Sequence, residues 1–317
     1  MAIEGRRIMV TGGAGFIGSH IVEALVHHGA DVTVVDHMNG PRETNLANVR
    51  DRIRLIRMDI RHPEFAALVI DSPFHVIFHF AAPASVSRSV EAPYVDFEQG
   101  LHSTVQLLEL LRESCPNTVL ITASAAAVYG NPVKLPMEEL DPTFPISPYG
   151  VSKLSIERYV SVYSQLYGVH AASLRFFSLY GPRQRQLVVY DLIAKLVNDP
   201  DNLMLLGDGT EMRDLIYIDD AVRAVLAVYE HGALEGEVYN IASGKSHTIM
   251  NVARAVASAL NADPKFTFTE RRTGDPITWC AEIEKIGRLG FQPLVALQDG
   301  ISQTVAWYRE TVVGKRA

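Results

Sequence analysis

The chain has 317 residues and a formal net charge of −7, from 29 lysine and arginine residues against 36 aspartate and glutamate residues. Hydrophobic residues make up 48% and charged residues 21%, a balance that is typical of globular proteins and excludes a disordered or fibrous chain. The acidic balance disfavours general nucleic-acid binding, because phosphate neutralisation needs a basic surface.

The first part of the chain alternates strand patterns with helical patterns. Its strands read as nearly continuous runs of Val, Ile and Leu, which is typical of strands buried on both faces. Such alternation predicts a parallel sheet with helices on both sides. Strands are predicted at 7–11, 31–36, 54–58, 75–80 and 118–122, and helices at 16–28, 63–70 and 98–113.

The second part of the chain continues this alternation. Further strands are predicted at 171–177 and 237–242, and helices at 149–167, 189–198, 219–230 and 249–260. The segment 178–217 is rich in Gly, Pro, Arg and Asp, which is typical of a substrate-facing segment. No internal repeat or linker occurs, so we expect a second lobe built from insertions into the first fold.

A glycine-rich turn lies between the first strand and the first helix. Gly12, Gly15 and Gly18 occupy every third position, and Phe16 and Ile17 open the helix. Glycine allows a tight turn and lets the backbone approach a pyrophosphate, while the helix N-terminus supplies N–H groups and a partial positive charge. The turn therefore predicts a dinucleotide site.

Residues at the ends of the next strands complete this prediction. Asp36 ends the second strand, where a carboxylate accepts hydrogen bonds from an adenosine ribose and repels a 2′-phosphate, which favours NAD over NADP. Asp59 and Ile60 follow the third strand and Ala81 follows the fourth, at the edge where ligands of open parallel sheets lie. Asp59 is a candidate for the adenine amino group, or simply a solvated loop residue.

Tyr149 and Lys153 stand four residues apart at the start of the long predicted helix. Residues at this spacing share one helix face. A neighbouring ammonium stabilises a phenolate and lowers the pKa of a tyrosine, which would make Tyr149 a base usable near neutral pH.

With these motifs the chain resembles the extended short-chain dehydrogenases/reductases, and within them the nucleotide-sugar epimerase/dehydratase group. The resemblance implies a Rossmann-type, doubly wound parallel α/β sheet with a smaller α/β substrate-binding lobe formed by C-terminal insertions. The NAD-binding domain is then expected at 1–177 with 217–243 returning to it, and the lobe mainly at 178–216 and 244–317. The matching blocks are 11–18, 79–82, 127–130, 147–153, 174–177, 180–184, 207–209, 213–220, 239–244 and 272–275.

The resemblance also implies a mechanism. Family members hold NAD permanently and oxidise a sugar hydroxyl, usually at C4. Tyr149 would then be the base, and Lys153 would tune it and hold a nicotinamide ribose. The resulting ketone is reduced from its other face by epimerases, loses water in dehydratases, or loses carbon dioxide in decarboxylases.

The residues before Tyr129 depart from the family pattern. Relatives usually place a Ser or Thr four residues before this tyrosine, where this chain has Ala125. We predict that Ser124 serves instead; the alternatives are Thr122, a water molecule, or weak or unusual turnover. Dehydratases place an Asp and a Glu at the next two positions, here Ala126 and Ala127, and methyl groups cannot move protons. A simple 4-epimerase needs no second acid.

Arginines are the candidates for the nucleotide diphosphate, because a guanidinium makes two-point contacts with phosphate oxygens. Arg183 is one candidate for this contact. Arg213 and Arg272 are two more, and they match family positions that commonly hold the diphosphate. Asp275 matches an acidic position near the nucleoside ribose. Ser178 stands where many relatives have Asn, and Gly100 replaces an Asn that lies near the cofactor in relatives.

The leading hypothesis is thus an NAD-dependent nucleotide-sugar 4-epimerase acting on a UDP-sugar. The alternatives are a dehydratase or 4-keto reductase of the same family, and a non-catalytic NAD-sensing protein. Helices 98–113 and 149–167 resemble those that form a four-helix dimer contact in relatives, so we expect a homodimer. With no apolar signal core or membrane-length run, two cysteines and no metal-type histidine grouping, we expect a cytoplasmic protein without metal.

Overall fold

A seven-stranded parallel sheet is the centre of the fold. The computed structural model describes residues 3–38, 41–271 and 277–314. Within them the strands are β1 Arg7–Thr11, β2 Asp31–Asp36, β3 Ile53–Arg57, β4 Val76–His79, β5 Val119–Ala125, β6 Ala171–Phe176, β7 Ser178–Tyr180, β8 Asn202–Leu206, β9 Met212–Tyr217, β10 Glu235–Ile241, β11 Ser246–Thr248 and β12 Lys265–Thr269. The large sheet has the order β10-β6-β5-β4-β1-β2-β3, with every neighbouring pair parallel.

Helices cover both faces of this sheet, as the strand pattern predicts. Along β1, Ile8 and Val10 point into one core cluster with α1 and α8, whereas Met9 points into the other with α2, α5 and α6. The described helices are α1 Phe16–His27, α2 Pro63–Asp71, α3 Val86–Glu91, α4 Pro93–Phe97, α5 Ser103–Ser114, α6 Pro148–Tyr167, α7 Leu187–Asn198, α8 Ile218–His231, α9 Ile249–Leu260, α10 Glu284–Gly287 and α11 Leu297–Tyr308. The doubly wound α/β fold is therefore confirmed.

One predicted helix contains an irregular turn. The run 98–113 is helical as expected, but its first turn, Glu98–His102, is π-helical and joins α4, which ends at Phe97, to α5, which begins at Ser103. The turn contains Gly100, whose weak helix propensity makes a wider turn tolerable there. A 3-10 helical segment, Pro41–Arg52, also joins β2 to β3.

Two small sheets belong to the second lobe. One has the order β11-β9-β7 and the other pairs β12 with β8. Helices α7, α9 and α11 pack together beside them, and β10 returns to the large sheet next to β6. The exact domain boundaries stay a prediction. Among the described residues, no helix is long and apolar enough to cross a membrane.

Candidate active site

The glycine turn fits closely between β1, β4 and α1. Gly12 has φ +67°, and a Cβ there would lie 2.7 Å from the backbone of Phe80 and Ala81. A Cβ on Gly18 would lie 2.3 Å from the Gly12 carbonyl oxygen. Helix α1 begins with neither a side-chain cap nor an acidic residue in its first turn. Its first N–H groups and positive dipole end are therefore available to an anionic group.

Asp36 lies beside this turn at the end of β2, where it is 3% exposed. Its carboxylate accepts hydrogen bonds from the backbone N–H groups of Ala14 (3.1 Å) and Met38 (2.8 Å). The backbone thereby fixes the carboxylate in one orientation. A glycine cradle, an uncapped helix N-terminus and a fixed carboxylate are the set of groups that a dinucleotide needs.

The other predicted cofactor residues lie along the same sheet edge. Ala81 donates its N–H to Thr11 Oγ1 over 3.4 Å. Asp59 lies beyond the end of β3 and accepts two side-chain hydrogen bonds from Arg61, at 2.7 and 3.0 Å. These bonds hold the pKa of Asp59 below its usual value. Ile60 is partly buried against the second core cluster. The contact between Asp59 and adenine stays a prediction.

A buried polar relay supports the turn from below. His79 contacts Thr11 Oγ1 over 2.8 Å and Thr104 Oγ1 over 3.2 Å, and Thr104 donates to the Gly100 carbonyl. Burial lowers the pKa of His79 to about 3, so the ring is neutral. Because the Thr104 proton is already used, His79 donates from Nε2 and accepts from Thr11 at Nδ1. The relay thus joins the glycine turn to the turn that contains Gly100.

Tyr149 and Lys153 lie in the first two turns of α6, where Lys153 is buried and Tyr149 is half-buried. The helix begins at Pro148, and Ser147 caps it by accepting the Gly150 N–H over 3.1 Å. Lys153 Nζ donates to the Ala123 carbonyl over 3.0 Å and lies 5.6 Å from the centre of the Tyr149 ring. The structure therefore brings together the tyrosine and the lysine that the sequence pairs.

The charge around this pair includes a residue that sequence reasoning missed. Asp96 on α4 is 4% exposed and accepts a hydrogen bond from Ser152. Burial lowers the pKa of Lys153 to about 8, against the opposing charges of Asp96 and Glu157. Burial and then Asp96 raise the pKa of Tyr149. A lone aspartate in a short helix forms no pattern in one sequence, so no signal could have identified it.

Ser124 has a different environment from the one that the predicted role requires. Its hydroxyl donates to Glu157, and Glu157 forms a buried ion pair with Arg175, 2.8 Å between Nη2 and Oε2. Ser124 is 2% exposed. Its one proton is therefore already used inside the protein. Ala125, Ala126 and Ala127 follow it with buried methyl groups.

Two of the predicted substrate residues lie in adjacent strands of the small sheet. Ser178 opens β7, which runs parallel to the strand that carries Arg213. The Arg213 guanidinium lies 5.8 Å from the centre of a Trp279 ring, and Trp279 donates to the Gly130 carbonyl over 3.3 Å. Arg213 and Trp279 lie beside the end of the large sheet, because Phe177, which directly follows β6, packs edge-on against Trp279.

Arg183, the third arginine predicted for the diphosphate, is bound to the helix of the glycine turn, and a contact with a diphosphate stays a prediction. Its guanidinium binds Glu23 over 2.6 Å and Ser19 over 3.2 Å, both on α1. An ion pair this short uses the fork that a phosphate would need. Arg272 and Asp275 lie outside the described residues.

Comparisons with known proteins agree with this geometry. A model of the NAD-dependent epimerase/dehydratase family matches residues 8–242. UDP-glucose 4-epimerase of Mycolicibacterium smegmatis is 32% identical over 314 residues, covering 96% of this chain and 98% of the relative. A structure of the UDP-glucose 4-epimerase of Thermus thermophilus with NAD is 36% identical, with TM-score 0.87 and 96% and 99% coverage. Bacillus cereus UDP-glucuronic acid 4-epimerase, bound to UDP-glucuronic acid and NAD, is 31% identical with TM-score 0.88 and the same coverage.

Proposed function

The chain belongs to the NAD-dependent epimerase/dehydratase family, and on that premise we propose that it is a UDP-sugar 4-epimerase with Tyr149 as its base. The similarity to named 4-epimerases, one of them in complex with NAD, identifies the chain as an NAD-dependent epimerase. The observation that carries the finer proposal is the contact between Tyr149 and the buried Lys153, followed in importance by the alanines at 126 and 127.

Tyr149 takes and returns the proton of the C4 hydroxyl. Burial makes its neutral form the stable one in the free protein, so a nearby positive charge must favour the phenolate. Lys153 supplies that charge from 5.6 Å, and its pKa of about 8 keeps it mainly protonated at neutral pH. After the sugar has turned its other face to the cofactor, Tyr149 gives the proton back.

NAD, when bound, accepts a hydride from C4 of the sugar and returns it to the opposite face. The chain's part is to hold the dinucleotide against the sheet edge. We assign the pyrophosphate to the glycine turn of Gly12, Gly15 and Gly18 and to the first N–H groups of α1, near Phe16 and Ile17. Asp36 would hold the adenosine ribose, and its fixed negative charge disfavours NADP.

The alanines beside the base favour epimerisation over dehydration. Loss of water across C5 and C6 needs an acid and a base besides the tyrosine. Ala126 and Ala127 offer only buried methyl groups at the positions where such groups would stand. The simple exchange of one proton and one hydride at C4 needs neither.

The nucleotide is expected in the second lobe. Arg213 lies against Trp279, next to the strand that begins at Ser178, and this arrangement suits a diphosphate that follows the cofactor site. Arg272 and Asp275 are proposed to complete the nucleotide contacts. Ser178 offers a hydroxyl where relatives have an amide.

We also propose a homodimer. One side of α6 exposes Val151, Tyr159, Val162 and Leu166, which recur at helical spacing. Leu166 is 68% exposed. A stripe of large apolar side chains on a long helix favours a partner helix. A second copy of α6, with α5, would form a four-helix contact.

The test is proton NMR of the purified protein with UDP-glucose, UDP-glucuronic acid and UDP-N-acetylglucosamine, with no cofactor added. New anomeric signals at unchanged mass identify epimerisation and the preferred sugar. A product lighter by one water would contradict the proposal in favour of a dehydratase. The Tyr149→Phe variant is the matched control, and it should keep NAD and lose turnover.

A further inference from the structure

A loop of the second lobe crosses the large sheet and binds the helix of the glycine turn. The segment 181–186 joins β7 to α7, and β7 itself follows β6 after a single residue. Strands β6 and β1 are three positions apart in the sheet order, roughly 14 Å at the usual strand spacing. The loop spans this gap and reaches α1, which begins directly after β1 and the glycine turn.

Three side chains of α1 hold the loop. Arg183 donates to Glu23 over 2.6 Å and to Ser19 over 3.2 Å. His20 contacts the Pro182 carbonyl over 3.1 Å. Burial, and then the charge of Arg183, lower the pKa of His20 to about 4, so the ring is neutral and donates a hydrogen bond. The loop is therefore attached through both its backbone and its arginine.

The ion pair is partly withdrawn from water. The side chains of Arg183 and Glu23 are 13% and 17% exposed, whereas the pair of Arg288 and Glu284 on α10 is about 70% exposed on both sides. Screening by solvent makes exposed pairs weak, and partial burial strengthens the attraction. Asn48 also donates to Glu23, which fixes the carboxylate in place.

The backbone of the loop is strained where it meets α1. Arg183 has φ +71°, a left-handed conformation that residues other than glycine rarely adopt. Such a conformation persists only where surrounding contacts hold it. The side-chain contacts of Arg183 with Glu23 and Ser19 are contacts of this kind.

We propose that Arg183 is a positioning residue that closes the cofactor cleft: by tying the loop 181–186 to α1, it slows the release of NAD. A ligand of an open parallel sheet lies at the carboxyl edge where the strand order reverses, here between β1 and β4. The loop runs from the β6 side to α1, the helix that follows β1 at this point. On this proposal, the attached loop lies across the exit path of a dinucleotide bound at that edge.

The test measures exchange of bound NAD for radiolabelled NAD in the holoenzyme, with no sugar present. Arg183→Gln and Glu23→Gln should each exchange NAD at least tenfold faster than the unmodified protein. Arg288→Gln, which breaks the exposed pair on α10, should exchange at the unmodified rate. Since no substrate is used, the result does not depend on whether the protein epimerises a UDP-sugar.

Two further variants guard against a general loss of structure. Arg183→Lys keeps the charge but loses the two-point contact, and we expect an intermediate exchange rate. The double variant Glu23→Arg with Arg183→Glu restores an ion pair and should recover slow exchange in part. Unmodified exchange rates in Arg183→Gln and Arg183→Lys would overturn the proposal, as would equal acceleration by Arg288→Gln.

Discussion

Asp96 accepts a hydrogen bond from Ser152 over 2.7 Å, and this bond places a buried carboxylate next to the two residues of the proposed proton-transfer site. Ser152 directly precedes Lys153 on α6. The charge of Asp96 raises the pKa of both Tyr149 and Lys153. Asp96 therefore holds Lys153 in its charged form, but it also makes the tyrosine a weaker acid.

Asp96→Asn should move the whole pH profile of kcat/KM to lower pH, by about one unit. The two limbs of the profile report the protons of Tyr149 and Lys153. The carboxylate raises both pKa values, so its removal lowers both. Glu157 still faces Lys153 in the variant, and neutral His79 adds no charge.

Ser152→Ala is the matched control, because it breaks the hydrogen bond and leaves the Asp96 charge. Its profile should stay within a few tenths of a unit of the unmodified one. Limbs that move apart, or an acidic limb that moves to higher pH in Asp96→Asn, would show that Asp96 acts through packing alone.

Ala125→Ser should raise kcat by about tenfold, a modest share of what a well-placed donor to a reacting oxygen contributes. The position is 8% exposed at the end of β5 and is where relatives carry a Ser or Thr. Ala126→Ser, one residue further and more deeply buried, is the control and should give no increase. Steady-state rates on the sugar identified by NMR check both. Equal kcat values for the unmodified protein and both variants would mean that the reaction does not need a hydroxyl at position 125.

Ser124→Ala should lower the free energy of unfolding by about 1.5–3 kcal/mol, the usual cost of losing a hydrogen bond to a charged group. The lost bond is the one to Glu157 within the buried pair with Arg175. We expect kcat to change less than threefold. Urea unfolding and steady-state kinetics are the measurements. A hundredfold fall in kcat with unchanged stability would restore the catalytic role that the sequence predicts for Ser124.

Leu166→Glu should convert the protein to a monomer at micromolar concentration, because it places a charge in the apolar stripe of α6. Light scattering after size exclusion gives the mass. Leu140→Glu is the control, since Leu140 is 97% exposed and lies in a loop away from α6. A monomeric unmodified protein, or a Leu166→Glu variant that remains a dimer, would exclude this helix as the contact.

The large sheet could be predicted from the sequence because its signals are local. Buried parallel strands read as apolar runs, and Gly12 and Gly18 leave a pattern that only a close turn explains. The π-helical turn at 98–102 could not be predicted. A π-helical turn depends on how α4 and α5 pack against α6, and one glycine in a helical pattern does not reveal it.

At the candidate site, the sequence identified the pair of Tyr149 and Lys153 because helical spacing brings them together. Ser124 and Arg183 show the limit of this reasoning. Each is a plausible polar residue near the right strand, but its partner is distant in sequence: Glu157 for the serine and Glu23 for the arginine. Such pairings are decided by tertiary packing, which one sequence does not encode in any periodic form.

The relay through His79 bears on how this protein responds to acid. Each hydrogen bond in it runs one way, from the Ala81 N–H through Thr11, the imidazole and Thr104 to the Gly100 carbonyl. A second proton on the ring would set two donors against each other, and burial already disfavours it. The hydrogen-bonded relay below the glycine turn therefore keeps the same charge as the pH falls. A histidine is ordinarily protonated as the pH falls, but His79 stays neutral and donates and accepts in fixed directions. We expect the pH dependence of the activity to come from the groups around Tyr149.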